Sequence, residues 1–283
     1  MFGYSRQVYY RGLKAEKTKQ QRAENVLGLV REKRMVMPRL GTKKLYHLLQ
    51  PELKALGVGR DKLFAILKAN HMLIIPRKSY HITTNSHHRF RKHKDLIAGL
   101  EIIRPEQVWV ADITYVGTRK NPMYLSLVTD AYSKKIMGYD VSNSLELKGA
   151  LAALKQALKN RKYPERQLIH HSDRGLQYCS NPYQKALTKS NVLCSMTESY
   201  DPYANAIAER INGILKQEFI EIVKIDKLDL MEKLVNQSVS IYNTQRPHLS
   251  CEMNTPEYMH KQNKIKRKVY KKVNLCKNVF TEV

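Results

Sequence analysis

Apolar positions follow two different spacings along the chain. Up to residue 70 they recur at helical intervals, with Leu45, Leu48 and Leu49 on one face and Leu63, Phe64, Ile66 and Leu67 on another, which predicts helices over 24–35, 41–49 and 60–70. Gly57-Val58-Gly59 breaks the chain before the third, and 2–11 reads as the turn and second helix of a further such unit. From residue 107 the spacing shortens. β-Branched and aromatic runs predict strands over 108–116, 124–129 and 136–142, separated by the turn-like segments 119–122 and 132–135. A helix over 145–160 follows, with Leu147, Leu151, Leu154 and Leu158 on one side, then a strand over 167–171, a helix over 182–190 and a strand over 192–197. Two amphipathic helices complete the pattern, 204–221 with Ile207, Ile211, Ile214 and Leu215 inward, and 227–244.

The order βββαβαβα is that of a ribonuclease-H-like α/β core, here preceded by a helical, helix-turn-helix-like region. The expected organisation is a helical DNA-binding region over 1–75, a basic linker over 76–104, the core over 105–225, and a helix with a basic tail over 226–283. A fold of this kind hosts many chemistries, so function has to come from a site.

Charge narrows the choice of partner. The 283 residues carry 50 Lys and Arg against 25 Asp and Glu, a net +25, which is tolerated where a polyanion neutralises it and points to nucleic acid. The excess is uneven: +16 over 1–100, +4 over 101–225 and +5 over 226–283. Arg60, Asp61 and Lys62 open the third helix, where helix-turn-helix readers present side chains to the major groove, and Lys43 and Lys44 stand on the helix before it. No run of about 18 apolar residues and no apolar signal segment is present, so a soluble, cytoplasmic protein without membrane association is expected. Cys179, Cys194, Cys251 and Cys276 are far apart and read as reduced thiols. The histidine-rich stretch 81–93 has no cysteine near it and reads as basic linker and not as a zinc module.

Three acids stand out from this background. Asp112 lies alone among apolar neighbours in the first strand, Asp173 ends the fourth in His171-Ser172-Asp173-Arg174-Gly175, and Glu209 lies on the helix after the fifth, on the side of Asn205 and Lys216. Each alone has a structural explanation as a turn residue or an ion-pair partner. Together they match what metal-assisted phosphodiester chemistry requires, carboxylates brought from separate elements to hold two divalent cations about 4 Å apart. Asp173 and Glu209 are separated by 35 residues, Asp112 and Asp173 by 60, and a lysine follows Glu209 by seven. Asp130 and Asp140 adjoin turn-like or strand-end segments and read as solvent-facing, Asp201-Pro202 reads as a turn and Trp109 as core, while His170 reads equally as a packed histidine or as one that orients a ligand or contacts phosphate.

The spacing resembles the D,D-35-E arrangement of retroviral integrases and related transposases. The strings His171-Ser172-Asp173-Arg174-Gly175-x-Gln177-Tyr178, Asn205-Ala206-x-Ala208-Glu209, Lys216-x-Glu218, Tyr242-Asn243-x-x-Arg246-Pro247-His248 and Thr255-Pro256-x-x-Tyr258 resemble the OrfB-type transposases of insertion sequence family three. That resemblance runs over about 25–260 and implies an enzyme that cuts at the ends of a mobile element and joins the freed 3′-hydroxyl to target DNA. It implies Asp112, Asp173 and Glu209 as catalytic ligands of two Mg²⁺ or Mn²⁺ ions. Lys216, Arg174, His171 and Asn205 are expected to contact DNA. It further implies a homo-oligomer on DNA in the bacterial cytoplasm, associated with the nucleoid, and association or frameshift fusion with an upstream OrfA-type protein. Ala204 stands where the family usually has an acid, and no heptad run is present. The competing readings are a DNA-binding repressor or inactive remnant, against which all three acids are present, and a hydrolase of RNA hybrids or DNA junctions, against which the N-terminal helical region and the late glutamate argue.

Overall fold

The computed structural model describes residues 5–75, 93–118, 120–197 and 205–262. The expected linker therefore lies largely outside the described residues, as do the histidine-rich stretch up to residue 92, Asp201-Pro202, Ala204, Cys276 and nearly all of the basic tail.

The N-terminal region is four helices: α1 (Arg6–Val36), α2 (Thr42–Leu48), α3 (Gln50–Ala55) and α4 (Arg60–Ala69). Of the separate unit expected over 2–11, residues 2–4 lie outside the described residues and 6–11 are instead the beginning of α1. Ser5 caps it by accepting a hydrogen bond from Val8 N, no proline interrupts it, and it stops at Met37 because Pro38 follows. Only Val26, Leu27 and Val30 of its 31 residues are buried, which is why apolar periodicity revealed only the last third. Arg34 staples that end, donating to Met72 O at 2.8 Å and Leu40 O at 3.3 Å. The short α3, with Pro51 in its first turn, was not legible as a separate helix.

The core is a five-stranded sheet of β1 (Val108–Gly117), β2 (Pro122–Asp130), β3 (Ile136–Ser142), β4 (Leu168–Ser172) and β5 (Val192–Met196), in the order β3-β2-β1-β4-β5. The first three form the antiparallel meander, and β4 and β5 run parallel to β1. The register pairs Val110 with His171 and Ala111 with Ser172. The helices are α5 (Leu147–Lys159), α6 (Leu176–Cys179), α7 (Asn181–Lys189), α8 (Ala206–Leu215), α9 (Leu228–Thr244) and α10 (Pro256–Lys261). This is the α/β order expected from the sequence, with α6 and α10 added.

Helix α5 lies so close on β3 that a Cβ at Gly138 would stand 2.0 Å from Ala153 O, so only glycine fits there. Trp109 is fully buried with Val128, Leu154 and Leu168, as expected. The N-terminal helices are not a separate globule: Leu45, Leu63 and Leu67 belong to one apolar cluster with Val116, Leu127, Ile211 and Val235.

Asp130 corrects an expectation. It is fully buried and not solvent-facing; its carboxylate accepts from Glu106 N at 2.7 Å, Ser133 N at 2.7 Å and Ser133 Oγ at 2.6 Å. Glu106, equally buried, accepts from Lys162 N and Tyr163 N and lies 3.5 Å from the Arg161 guanidinium. His260 of α10 bridges the two acids. Asp140 is half-buried, and burial with Glu232 nearby pushes its carboxyl up to about 6.

The Tyr242-Asn243-x-x-Arg246-Pro247-His248 string acts as a fastening. Asn243 both accepts from Ile136 N and donates to Ile136 O, each at 3.0 Å, and Tyr242 Oη donates to Lys134 O. Arg246 grips Glu218 with two hydrogen bonds of 2.6 and 2.7 Å, and Lys44 of α2 reaches the same carboxylate at 3.8 Å.

Candidate active site

Asp112 projects from the middle of β1, and the β1–β4 register places Asp173, one residue beyond β4, beside it. Two asparagines pin α8 across this edge. Asn205, at the start of α8, donates to Ala111 O at 3.0 Å, and Asn212 donates to Asp112 Oδ2 at 2.7 Å. Positions 205, 209, 212 and 216 are separated by four, three and four, one stripe of a 3.6-residue helix, so the contacts at its ends orient Glu209 between them. Asn212 was not singled out from the sequence, although its place three residues after Glu209 on that stripe is a signal that could have found it.

Electrostatics mark the same place. The hydrogen bonds Asp112 accepts come from neutral amides, Asn212 and its neighbour Ile113 N. Burial, then the Asp173 carboxylate and to a lesser extent Glu209, push its carboxyl up to about 7. Asp173 accepts from Gly175 N at 3.0 Å, and a Cβ at position 175 would stand 3.0 Å from that same Asp173 oxygen. Glycine there lets the chain turn tightly around the carboxylate. The side-chain oxygens of Asn205 and Asn212 are buried and have no hydrogen-bond partner among the described residues.

The expected DNA contacts divide. Arg60, Lys62 and Lys43 are exposed, Arg60 pairing with its neighbour Asp61, and Arg174 is half-buried next to Asp173. His171, expected at the DNA surface, is fully buried with Nδ1 2.9 Å from Ser195 Oγ. Asn205 is also buried, its amide spent on β1. Lys44 is half-buried against Glu218. The long helix expected over 204–221 ends at Leu215 and passes into a π-turn over Lys216–Ile220. Lys216 is largely covered there and lies 3.8 Å from Glu221. Its ammonium is lowered by burial and supported by Glu221 and Asp112.

Divalent cations fit the chemistry of this edge. The donors are carboxylates, hard oxygens of the kind Mg²⁺ and Mn²⁺ take, they repel one another, and two orphaned amide oxygens adjoin them as acceptors for coordinated water. Among the described residues no three His, Cys, Asp or Glu side chains are already gathered around one point.

This sheet, with acids on β1, after β4 and on α8, defines an integrase-type catalytic core. Integrase core domain models match residues 103–202 and 190–256. A solved simian T-cell lymphotropic virus intasome chain matches 86% of this chain and 81% of its own at 18% identity and a TM-score of 0.50, a likeness of fold. Among curated proteins, the insertion element IS600 31 kDa protein of Shigella sonnei is 32% identical over 88% of this chain and 92% of its own length. Transposase InsF of insertion sequence IS3A from Escherichia coli K12 is 36% identical over 56% of this chain, a match spanning about half (55%) of that transposase. The chain belongs to the IS3-type insertion-sequence transposases, with an integrase catalytic core.

Proposed function

We propose that the protein is a divalent-metal-dependent DNA strand transferase that nicks DNA at the ends of its element and joins the freed 3′-hydroxyl to a target strand. The observation that supports this best is the Asp112 carboxyl, pushed up to about 7 by burial and by Asp173 and Glu209 while bonded only to neutral amides. A purely structural acid would be given a cationic or protonated partner, as Asp130 is.

In this reading Asp112, Asp173 and Glu209 hold two Mg²⁺ or Mn²⁺ ions. Bound there, the ions would activate the attacking oxygen and stabilise the leaving one. Asn212 keeps Asp112 in its orientation, and Asn205 holds the start of α8 on β1. In the first step a water oxygen attacks the phosphodiester and the 3′-oxygen leaves as a hydroxyl. In the second that hydroxyl attacks a target phosphodiester, forming one P–O bond as another breaks. The exposed Arg60, Lys62 and Lys43 serve duplex binding, with Arg174 near the acids. Lys216, close to Asp112 and tied to Glu221, steadies the carboxylate edge more than it reaches for phosphate. The working unit is an oligomer on DNA in the cell's cytoplasm, with an OrfA-type protein as its upstream partner or fusion.

The test is incubation of the purified chain with labelled element-end DNA with and without Mg²⁺. Metal-dependent nicking and joined products are expected, both abolished in Glu209→Gln; full activity of that variant overturns the reading. Binding without chemistry in every metal would favour the repressor.

A further inference from the structure

Helix α8 carries a second stripe. Ile207, Ile211 and Ile214, at intervals of four and three, are offset two residues from the Asn205–Glu209–Asn212 stripe and so face the other side. There they line a cavity of about 330 Å³ between α8, α2 and the 246–250 segment. Lys44, Arg210 and Arg246 stand around it, and none of the lining residues is acidic. The carboxylate in contact with these cations, Glu218, is already gripped by Arg246 and Lys44. Arg210 is exposed and makes no ion pair among the described residues. His248 is 92% buried, being 8% exposed, and lines the same cavity. Its Nδ1 lies 3.1 Å from Ser250 Oγ, while Nε2 has no hydrogen-bond partner among the described residues. Burial and the Arg246 guanidinium hold this imidazole neutral, down to about 3.

A cationic rim, an apolar floor and one unspent neutral ring nitrogen ask for a ligand with a phosphate, a flat apolar face and a hydrogen-bonding edge. A backbone phosphate alone leaves the isoleucine floor unused, and a base stacked in a duplex has both faces covered. An apolar peptide side chain would leave Arg210 without a counter-charge. We propose that this cavity holds one unstacked nucleotide of a DNA strand, its base against Ile207 and Ile211, its edge at His248 and its phosphate on Arg210. This rests on the reading that DNA is the substrate.

The test uses the full chain and a fluorescent ten-nucleotide thymidine strand, beside a duplex of the same length, both read by anisotropy. Leu249→Glu, at the exposed mouth of the cavity, and Arg210→Gln are each expected to weaken single-strand binding about tenfold, the effect of losing one base contact. Duplex binding should stay within about twofold and melting temperatures should be unchanged. Unaltered single-strand affinity in both variants overturns the proposal, as does an equal loss for strand and duplex, which would make the cavity a general charge patch. Loss of self-association in Leu249→Glu with normal strand binding would overturn it in favour of a contact between copies. If the wild type bound neither DNA, the DNA reading itself would have failed, an outcome separate from these.

Discussion

Two pairs of neighbouring carboxylates, one at the start of β1 and one at its middle, are treated in opposite ways. Glu106 and Asp130 are completely buried, yet backbone N–H groups, Ser133 and His260 meet their oxygens, and both are held below the ordinary carboxylate range. Asp112 and Asp173 are less buried but face each other, and Asp112 is pushed far above that range. The first pair is met by N–H groups, a hydroxyl and an imidazole that offset its charge; the second is bonded to neutral amides and keeps its mutual repulsion. Burial alone does not separate the two classes. The partners do.

The contrast can be broken most severely at the mutually repelling pair, Asp112 and Asp173. Asp112→Asn is expected to reduce DNA nicking and joining by about 10⁴-fold, about 5.5 kcal/mol in barrier, with a melting temperature equal to or above wild type because a like-charge repulsion is removed. Product assays and calorimetry on one preparation check both halves. At the satisfied pair the order reverses. Asp130→Ala strands His260 and Ser133 and should cost about 3–5 kcal/mol of stability, seen in urea unfolding, with activity following the folded fraction.

The satisfied pair also predicts a pH response. Asp130 and Glu106 are depressed, so their contribution is present above the ordinary carboxylate value of about 4 and is lost as pH falls through their folded values. His260 is raised by Asp130 and Glu106 against the effect of burial, so its contribution is complete below about 6.5 and is lost as pH rises through its folded value. Stability from this cluster should therefore peak between about pH 4 and 6.5, and His260→Gln should flatten the alkaline side of the melting-temperature profile. An unchanged profile would show that the bridge carries no charge. The smallest effect is expected at Asn212→Ala, which frees Asp112 Oδ2: a hydrogen bond to a charged group is worth about 1.5–3 kcal/mol, so turnover should fall roughly ten- to a hundredfold with little change in DNA affinity.

What could be read in advance follows from which signals are local. The strand order, α5, α9 and the elements that carry Asp112, Asp173 and Glu209 were legible because periodicity and spacing are written along the chain. The first half of α1 was not, because its exposed residues carry no apolar period, and α10 was not, because six residues are too few to show one. Asp130 was misread because its turn-like setting says nothing of Glu106 N or His260, partners 24 and 130 residues away. For the same reason His171 was expected outside: only the parallel pairing with β5 shows that Ser195 waits beside it. Adjacency on a helix was readable and adjacency across the sheet was not, so Asn212 lay within reach of sequence reasoning while His171 did not.

The fastening of Arg246 to Glu218 and of His260 to Glu106 and Asp130 bears on how the chain is made. A ribosome releases β1, β2 and β3 long before residues 246 and 260 exist, so during synthesis two acids destined for the interior have no imidazole and Glu218 has no guanidinium. The sheet can form early, its two acids already met by Ser133, Arg161 and backbone N–H groups, but the imidazole bridge between them is missing until the later segment arrives. A nascent chain stalled between residues 220 and 240 should accordingly remain open to protease at the 130–135 turn, and addition of a peptide spanning 241–262 in trans should protect it.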